Sequence, residues 1–231
     1  MPKNVCRRSS IQHKTGPVAD SFALELSGIG KRFGTHWALA HISYRLPVSR
    51  SLLLTGHNGS GKTTLLRLLA TALQPTLGQL RVLGLSAKQD TLGIRQNTAL
   101  LSHANYHYED LSAEQNLRLL ARLLGKTADI PCLLERVGLL SRQQSPVRQF
   151  SAGMRKRLAI ARLLLKAPRL ALLDEPFGEL DPAGIANMEN LIRELKTQGT
   201  TLVLATHLVE QGLSLTEARL HLNQGRLEEA S

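Results

Sequence analysis

The segment that most constrains this chain is SLLLTGHNGSGKTT, Ser51 to Thr64. Its first five residues form a short, nearly all-apolar run ending in a polar residue, the pattern of a buried parallel strand. Gly56 to Thr63 then has the spacing G-x-x-x-x-G-K-T, and an apolar helix is expected from Thr64 to Leu73. Strand, loop and helix in that order make a phosphate cradle. Gly56, Gly59 and Gly61 let the backbone wrap, so that N–H groups along His57, Asn58, Ser60 and the helix start through Thr64 point at phosphate oxygens. Lys62 is then placed to reach the β- and γ-phosphates, and Thr63 to offer its hydroxyl to Mg²⁺. A chance glycine-rich turn would lack the strand before it and the helix after it.

LALLDEP, Leu170 to Pro176, is a second buried strand. It leaves Asp174 at the strand end, where its carboxylate can hold Mg²⁺ through water, with Glu175 beside it to polarise an attacking water. Paired acids at a strand end are often only solvated, but a phosphate loop upstream requires such an acidic partner. A third apolar strand, Thr201 to Ala205, runs into Thr206 and His207. His207 should emerge at the same sheet edge as the two acids and hydrogen-bond the γ-phosphate. FSAGMRKR, Phe150 to Arg157, opens a helix that should run to Ala167, stopped by Pro168. Ser151 stands at its N-cap, and the N–H groups around Gly153 offer an anion site.

Around these motifs, strand-like and helix-like segments alternate in the βα manner of a doubly wound sheet. Phe22 to Leu26 and His41 to Leu46 alternate with period two, which predicts a half-exposed antiparallel layer. Between about Asp110 and Gln149 the pattern turns helical. Ser112 and Gln115 form a capping box, Leu117, Leu120, Leu123 and Leu124 suggest an apolar stripe, and Gly125 is the stop. A second short helix should open at Pro131 and close at Gly138. The fold class is therefore α/β: a phosphate-loop NTPase core with a mostly parallel sheet, an antiparallel β side layer and an inserted helical subdomain at about 110–149.

The 231 residues are 42% hydrophobic but only 3% aromatic, which allows a large aliphatic core and excludes global disorder. Residues 1–20 are polar and basic and lack an apolar signal region, so they are set aside as a tail, with the ATPase domain over 21–231. Cys6 and Cys132 stand far apart and suggest no disulfide framework and no zinc knuckle, which fits a reducing compartment. The apolar runs are far shorter than the roughly 20 residues a membrane span needs. The net charge of +11 favours an anionic partner without choosing among nucleotide, lipid and nucleic acid.

Phosphate loop, helical insert, Ser-x-Gly, Asp-Glu pair and His, in this order, resemble the nucleotide-binding domain of ABC transporters from about Ala23 to Leu227, with Glu179-Leu180-Asp181 in the place of the D-loop. The resemblance implies hydrolysis of ATP with Mg²⁺. It implies a head-to-tail dimer in which Ser151 and Gly153 of one copy close over ATP held by Lys62 of the other. It also implies a separate membrane-spanning subunit, and a peripheral place on the cytoplasmic face of the inner membrane. Phe33 matches the family's adenine-stacking aromatic, with Trp37 as a rival. Arg155, Lys156 and Arg157 read as the solvated face of the signature helix.

Ala152 and Met154 depart from the usual glycine and glutamine of the signature, and His103 stands where a glutamine normally faces Mg²⁺ and the membrane partner. Ser102-His103, the stretch EDLSAEQNL and the DEPF motif resemble the ATP-binding subunit of the haem exporter of cytochrome c maturation, the Ccm family. That resemblance makes haem an indirect partner at most. An ABC-2 type exporter of a drug, lipid or polysaccharide is the alternative. A soluble ATPase on ribosomes or DNA, and with it a nucleic-acid partner, is not expected, because such proteins usually carry fused ATPase domains or a long coiled-coil insert. His103 and His107 do not make a zinc site, since the acid expected beside them is missing.

Overall fold

A computed structural model describes residues 21–102 and 107–228. In chain order these form β1 (Phe22–Phe33), β2 (His36–Pro47), β3 (Ser51–Thr55), α1 (Lys62–Leu69), β4 (Leu77–Val82), β5 (Leu85–Ser86), α2 (Thr91–Asn97) and β6 (Thr98–Leu101). Then come α3 (Ala113–Leu123), α4 (Ile130–Arg136) and α5 (Ala152–Lys166). The chain continues with β7 (Leu170–Asp174), α6 (Pro182–Thr197), β8 (Thr201–Ala205), α7 (Val209–Leu215), β9 (Ala218–Asn223) and β10 (Arg226–Glu228). Packing divides the described residues into an α/β unit, 21–102 with 168–228, and a helical unit, 107–167.

The α/β unit holds a six-stranded sheet in the order β10-β9-β3-β8-β7-β6, parallel except for the β10–β9 pair. Every residue of β3, β7 and β8 is buried, which is why these strands read as unbroken apolar runs. The fold class expected from sequence is the one observed. The antiparallel layer is larger than expected: β1 and β2 have 12 residues each, and β4 and β5 extend the sheet to the order β2-β1-β4-β5. The extra strands carry exposed residues such as Gln79 and Arg81, so no apolar run announces them. Leu52, Leu54, Leu66, Leu172, Val203 and Leu222 share one aliphatic core.

α1 starts and stops earlier than the apolar pattern suggests. Gly61, at φ 107°, caps it directly before Lys62, and Thr71, at φ 55°, lies just beyond its end. Among the described residues no helix is long and apolar enough to cross a membrane.

In the helical unit the capping box of α3 forms as expected: Ser112 N–H donates to Gln115 Oε1 at 2.8 Å and Gln115 N–H to Ser112 Oγ at 3.2 Å. The expected stripe is corrected. The buried face of α3 is Ala113, Asn116, Leu117 and Ala121, whereas Leu123 is 72% exposed. Asn116 turns that face through hydrogen bonds rather than apolar contact: its Nδ2 donates to Tyr108 O and Ser112 O, and its Oδ1 accepts from Tyr108 N–H, each at 3.0 Å.

α4 is capped by Asp129, carries Pro131 in its first turn and is followed by Gly138 at φ 69°. α5 packs on both α3 and α4, so the compact unit continues past Gln149 to Ala167. Lys156 is fully buried, which corrects its reading as a solvated residue. It lies four and eight residues before buried Ile160 and Leu164, on the inner face of the helix.

Candidate nucleotide site

The phosphate loop takes its shape from contacts that only glycine allows. A Cβ on Gly56, at φ 147°, would lie 2.2 Å from Leu222 O and 2.6 Å from Ser60 Oγ; one on Gly61 would lie 2.7 Å from Ala38 O. The loop is thus pressed between β2 and the end of β9. No side chain caps α1, so its first N–H groups face the loop. Lys62, 8% exposed, folds back and donates from Nζ to Gly56 O at 2.6 Å and His57 O at 3.1 Å. The Ser60 hydroxyl is buried beneath the loop without a hydrogen-bond partner among the described residues.

Across from the loop, Thr63 Oγ1 donates to Asp174 Oδ2 at 2.8 Å, joining the start of α1 to the end of β7. Asp174 is buried. A hydroxyl and a carboxylate at hydrogen-bond distance are hard oxygen donors of the kind Mg²⁺ selects, so the residues present fit that ion. A cleft of about 250 Å³ joins Asn58, Gly59, Lys62, Thr63, Asp174 and Glu175. Its size and polar lining suit phosphate groups.

Glu175 follows Asp174 with φ 49°, a left-handed conformation unusual for a residue with a side chain. Its N–H donates to Ala205 O at 2.8 Å, which fixes the turn against β8. Its Oε2 accepts from His207 Nδ1 at 2.8 Å, Thr206 Oγ1 at 3.2 Å and the His207 N–H at 3.3 Å. The expected meeting of Glu175 and His207 at one sheet edge is therefore observed. Thr206 was not foreseen as a partner, although its place at the end of an apolar strand beside His207 could have marked it.

The rival aromatics lie on opposite faces of the β1–β2 ribbon. Arg32 pairs with Trp37, and its guanidinium stands 5.6 Å over the indole; Phe33 is the next residue along β1 and pairs with His36. Trp37 lines a different cleft, of about 670 Å³, with Gly30, Leu77 and Arg226. Ser151 caps α5, accepting from Met154 N–H at 3.2 Å, and it and Gly153 belong to the helical unit. His103 lies outside the described residues. His107 is half-buried in the helical unit, where Nε2–H donates to Arg155 O at 3.0 Å and Nδ1 faces the Arg162 guanidinium at 3.4 Å.

A glycine loop ending in Lys-Thr at a helix start, facing an acidic strand end, defines a phosphate-loop NTPase. Comparison with known proteins narrows that class. A family model described as ABC transporter matches residues 39–178, and the chain belongs to this family as an ATP-binding subunit that hydrolyses ATP. It is 36% identical over 215 residues to the daunorubicin resistance ATP-binding protein DrrA3 of Streptomyces coeruleorubidus, covering 91% of this chain and 68% of that protein. It is 35% identical over 184 residues to the cytochrome c biogenesis ATP-binding export protein CcmA of Nitrosococcus oceani, covering 80% and 85%. A solved ATP-binding subunit of an ABC transporter superposes with a TM-score of 0.82 at 26% identity, over 89% of this chain and 88% of that one.

Proposed function

We propose that this chain is the motor of an exporter serving cytochrome c assembly, with the cargo, haem, carried by a separate membrane subunit. The observation that carries the catalytic part is the gathering of three donors on one oxygen of Glu175 directly after Asp174. Those donors hold the carboxylate in place, so that it can take a proton from an attacking water.

Lys62 exchanges its loop carbonyls for the β- and γ-phosphate oxygens, and the backbone N–H groups from Gly56 to Thr64 bind the remaining phosphate charge. Thr63 and Asp174 are the residues that would hold Mg²⁺, and the ion would supply charge neutralisation at the phosphates. His207, held through Nδ1 by Glu175, presents Nε2 to the γ-phosphate. Phe33 stacks on the adenine, with Trp37 turned into the other cleft. Ser151 and Gly153 close over the nucleotide of a second copy in a head-to-tail dimer. In the sequence His103 holds the position of the family's glutamine. The protein sits peripherally on the cytoplasmic face of the cell membrane and needs no nucleic acid.

The haem reading is supported by the Ser102-His103 and DEPF sequences and by the similarity to a cytochrome c biogenesis protein. Export of a drug is the second reading, favoured by a similarity of the same strength to a daunorubicin resistance protein. Gentle solubilisation and co-purification from the native membrane separates the two. A membrane subunit accompanied by cytochrome c assembly factors is expected. A membrane subunit without them, in cells whose cytochrome c is normal when this chain is deleted, would favour the second reading.

A further inference from the structure

The turn between β9 and β10 touches the phosphate loop although the two are far apart in sequence. Gly225 N–H donates to Ser60 O at 3.0 Å, and Gly225 O accepts from Ala40 N–H at 2.8 Å. One residue of the turn is thus bonded to the loop through its nitrogen and to β2 through its oxygen. Gly225 is buried, at φ 76°, and a Cβ there would lie 2.6 Å from Ala38 O, 3.0 Å from Ala38 C and 3.1 Å from Leu39 Cα. All three are backbone atoms, which cannot swing aside as the end of a side chain can. A Cβ on Gly61 would meet the same Ala38 oxygen at 2.7 Å. A glycine of the loop and a glycine of the turn therefore close on one carbonyl of β2, and Ala38 itself lines the phosphate cleft. His57 Nε2 and Asn223 Oδ1, 3.2 Å apart, bring the same two segments together through side chains.

We infer that Gly225 is a positioning residue of the nucleotide site, fixing the phosphate loop against β2 so that the N–H groups at the start of α1 stay aimed at phosphate. The inference rests on the ATP-binding reading above. Ser60 stands directly before Gly61 and Lys62, so its place sets where the helix begins. Its N–H donates to His57 O at 3.1 Å, within the loop, and its buried hydroxyl has no hydrogen-bond partner among the described residues. Among those residues, the bond from Gly225 to its carbonyl is the one that ties Ser60 to chain outside the loop. Any larger residue at 225 has to push β2 or the turn away by roughly 1 Å, a displacement that costs up to about 10²-fold at a site built for one geometry.

The test is the dissociation constant of Mg-ATP and of magnesium triphosphate for wild type, Gly225→Ala and Gly199→Ala. Gly199, at φ 80°, also has a left-handed backbone, but a Cβ there would meet only Ser49 Oγ, at 3.6 Å. Gly199→Ala therefore carries the conformational strain without the clash. Both variants should melt below wild type, and Gly199→Ala should bind both ligands as wild type does. Gly225→Ala should bind both about ten- to a hundredfold more weakly and by the same factor, because the loop grips phosphate and not the base. Binding by folded Gly225→Ala within about twofold of wild type would overturn the inference and leave the ATP site standing. So would a loss confined to Mg-ATP, which would place the effect on the base side of β2. If Gly225→Ala does not fold, the wild-type chain decides: the backbone amide NMR resonance of Gly225 should shift as magnesium triphosphate fills the site while that of Gly199 stays, and an unmoved Gly225 resonance would overturn the inference. Failure of wild type itself to bind either ligand would overturn both the inference and the reading beneath it.

Discussion

Two lysines separate the ways in which the units of this molecule place charge. Lys62 is 8% exposed and held by two carbonyls of its own loop, bonds that a phosphate can replace. Lys156 is fully buried on α5, on the side of the helix that carries Ile160 and Leu164. The first is positioned by backbone within a few residues, so spacing alone reveals it. The second is positioned by which face of a helix turns inward, a property of the whole unit that three consecutive basic residues conceal.

The largest effects belong to the loop and the acid. Lys62→Ala should reduce ATP binding beyond ordinary detection, because the phosphates lose their main cation. Glu175→Gln should keep binding while turnover falls about 10²- to 10⁴-fold, since the amide cannot accept a proton from water. Equilibrium binding and phosphate release measured on both variants would check this. Near-normal turnover by Glu175→Gln would remove the role of proton acceptor given to this carboxylate.

The same contrast explains what was legible in the sequence. β3, β7, β8, the phosphate loop, Asp174 and His207 are encoded by local runs and strand ends, and they stand where the pattern puts them. The pairing of His57 with Asn223 spans 166 positions, and nothing local in either segment announces it. The strands β4, β5, β9 and β10 lack apolar runs because each has residues open to water. On α3 an all-leucine stripe fails because Asn116, a polar residue with its hydrogen bonds met inside the unit, takes a place on the buried face that Leu123 does not.

Lys156 gives the next largest effect, and it should appear in stability. Lys156→Ala removes a buried ammonium together with the packing of its stem, at a cost of about 2–4 kcal/mol. For a chain of this size that lowers the melting temperature by roughly 5–12 °C. A thermal shift within 1 °C of wild type, on an approximate scale of 2–4 °C per kcal/mol, would mean that the side chain leaves the helical interior in solution.

The two aromatics sharpen the comparison within the α/β unit. Because Phe33 and Trp37 lie on opposite faces of the ribbon, Phe33→Ala should weaken ATP binding by about tenfold, the loss of one base stack. Trp37→Ala should change it less than about twofold, its indole lying over Gly30 in the other cleft. Titration with ATP and with inorganic triphosphate distinguishes stacking from phosphate contact, since only ATP binding should depend on Phe33. The reverse order of effects would exchange the roles of the two rings.

The smallest effect concerns His107, in the helical unit. Burial, with the Arg162 and Arg155 charges adding to it, holds its imidazole down to about 4 from an ordinary value of 6.5. Its Nδ1 faces a guanidinium at 3.4 Å, so a proton there would set donor against donor. The folded chain therefore binds fewer protons at this site than the unfolded chain between those two values, and stability rises with pH across that window. The contribution is present above pH 6.5 and is lost as pH falls toward about 4. Since the ring keeps some contact with solvent, about 1–2 kcal/mol is the expected size rather than the full shift. His107→Gln keeps one donor and one acceptor but does not titrate, so its unfolding free energy should fall less steeply between pH 6.5 and pH 4 than that of wild type. Equal slopes for the two proteins in urea unfolding would show that His107 takes up its proton as readily folded as unfolded.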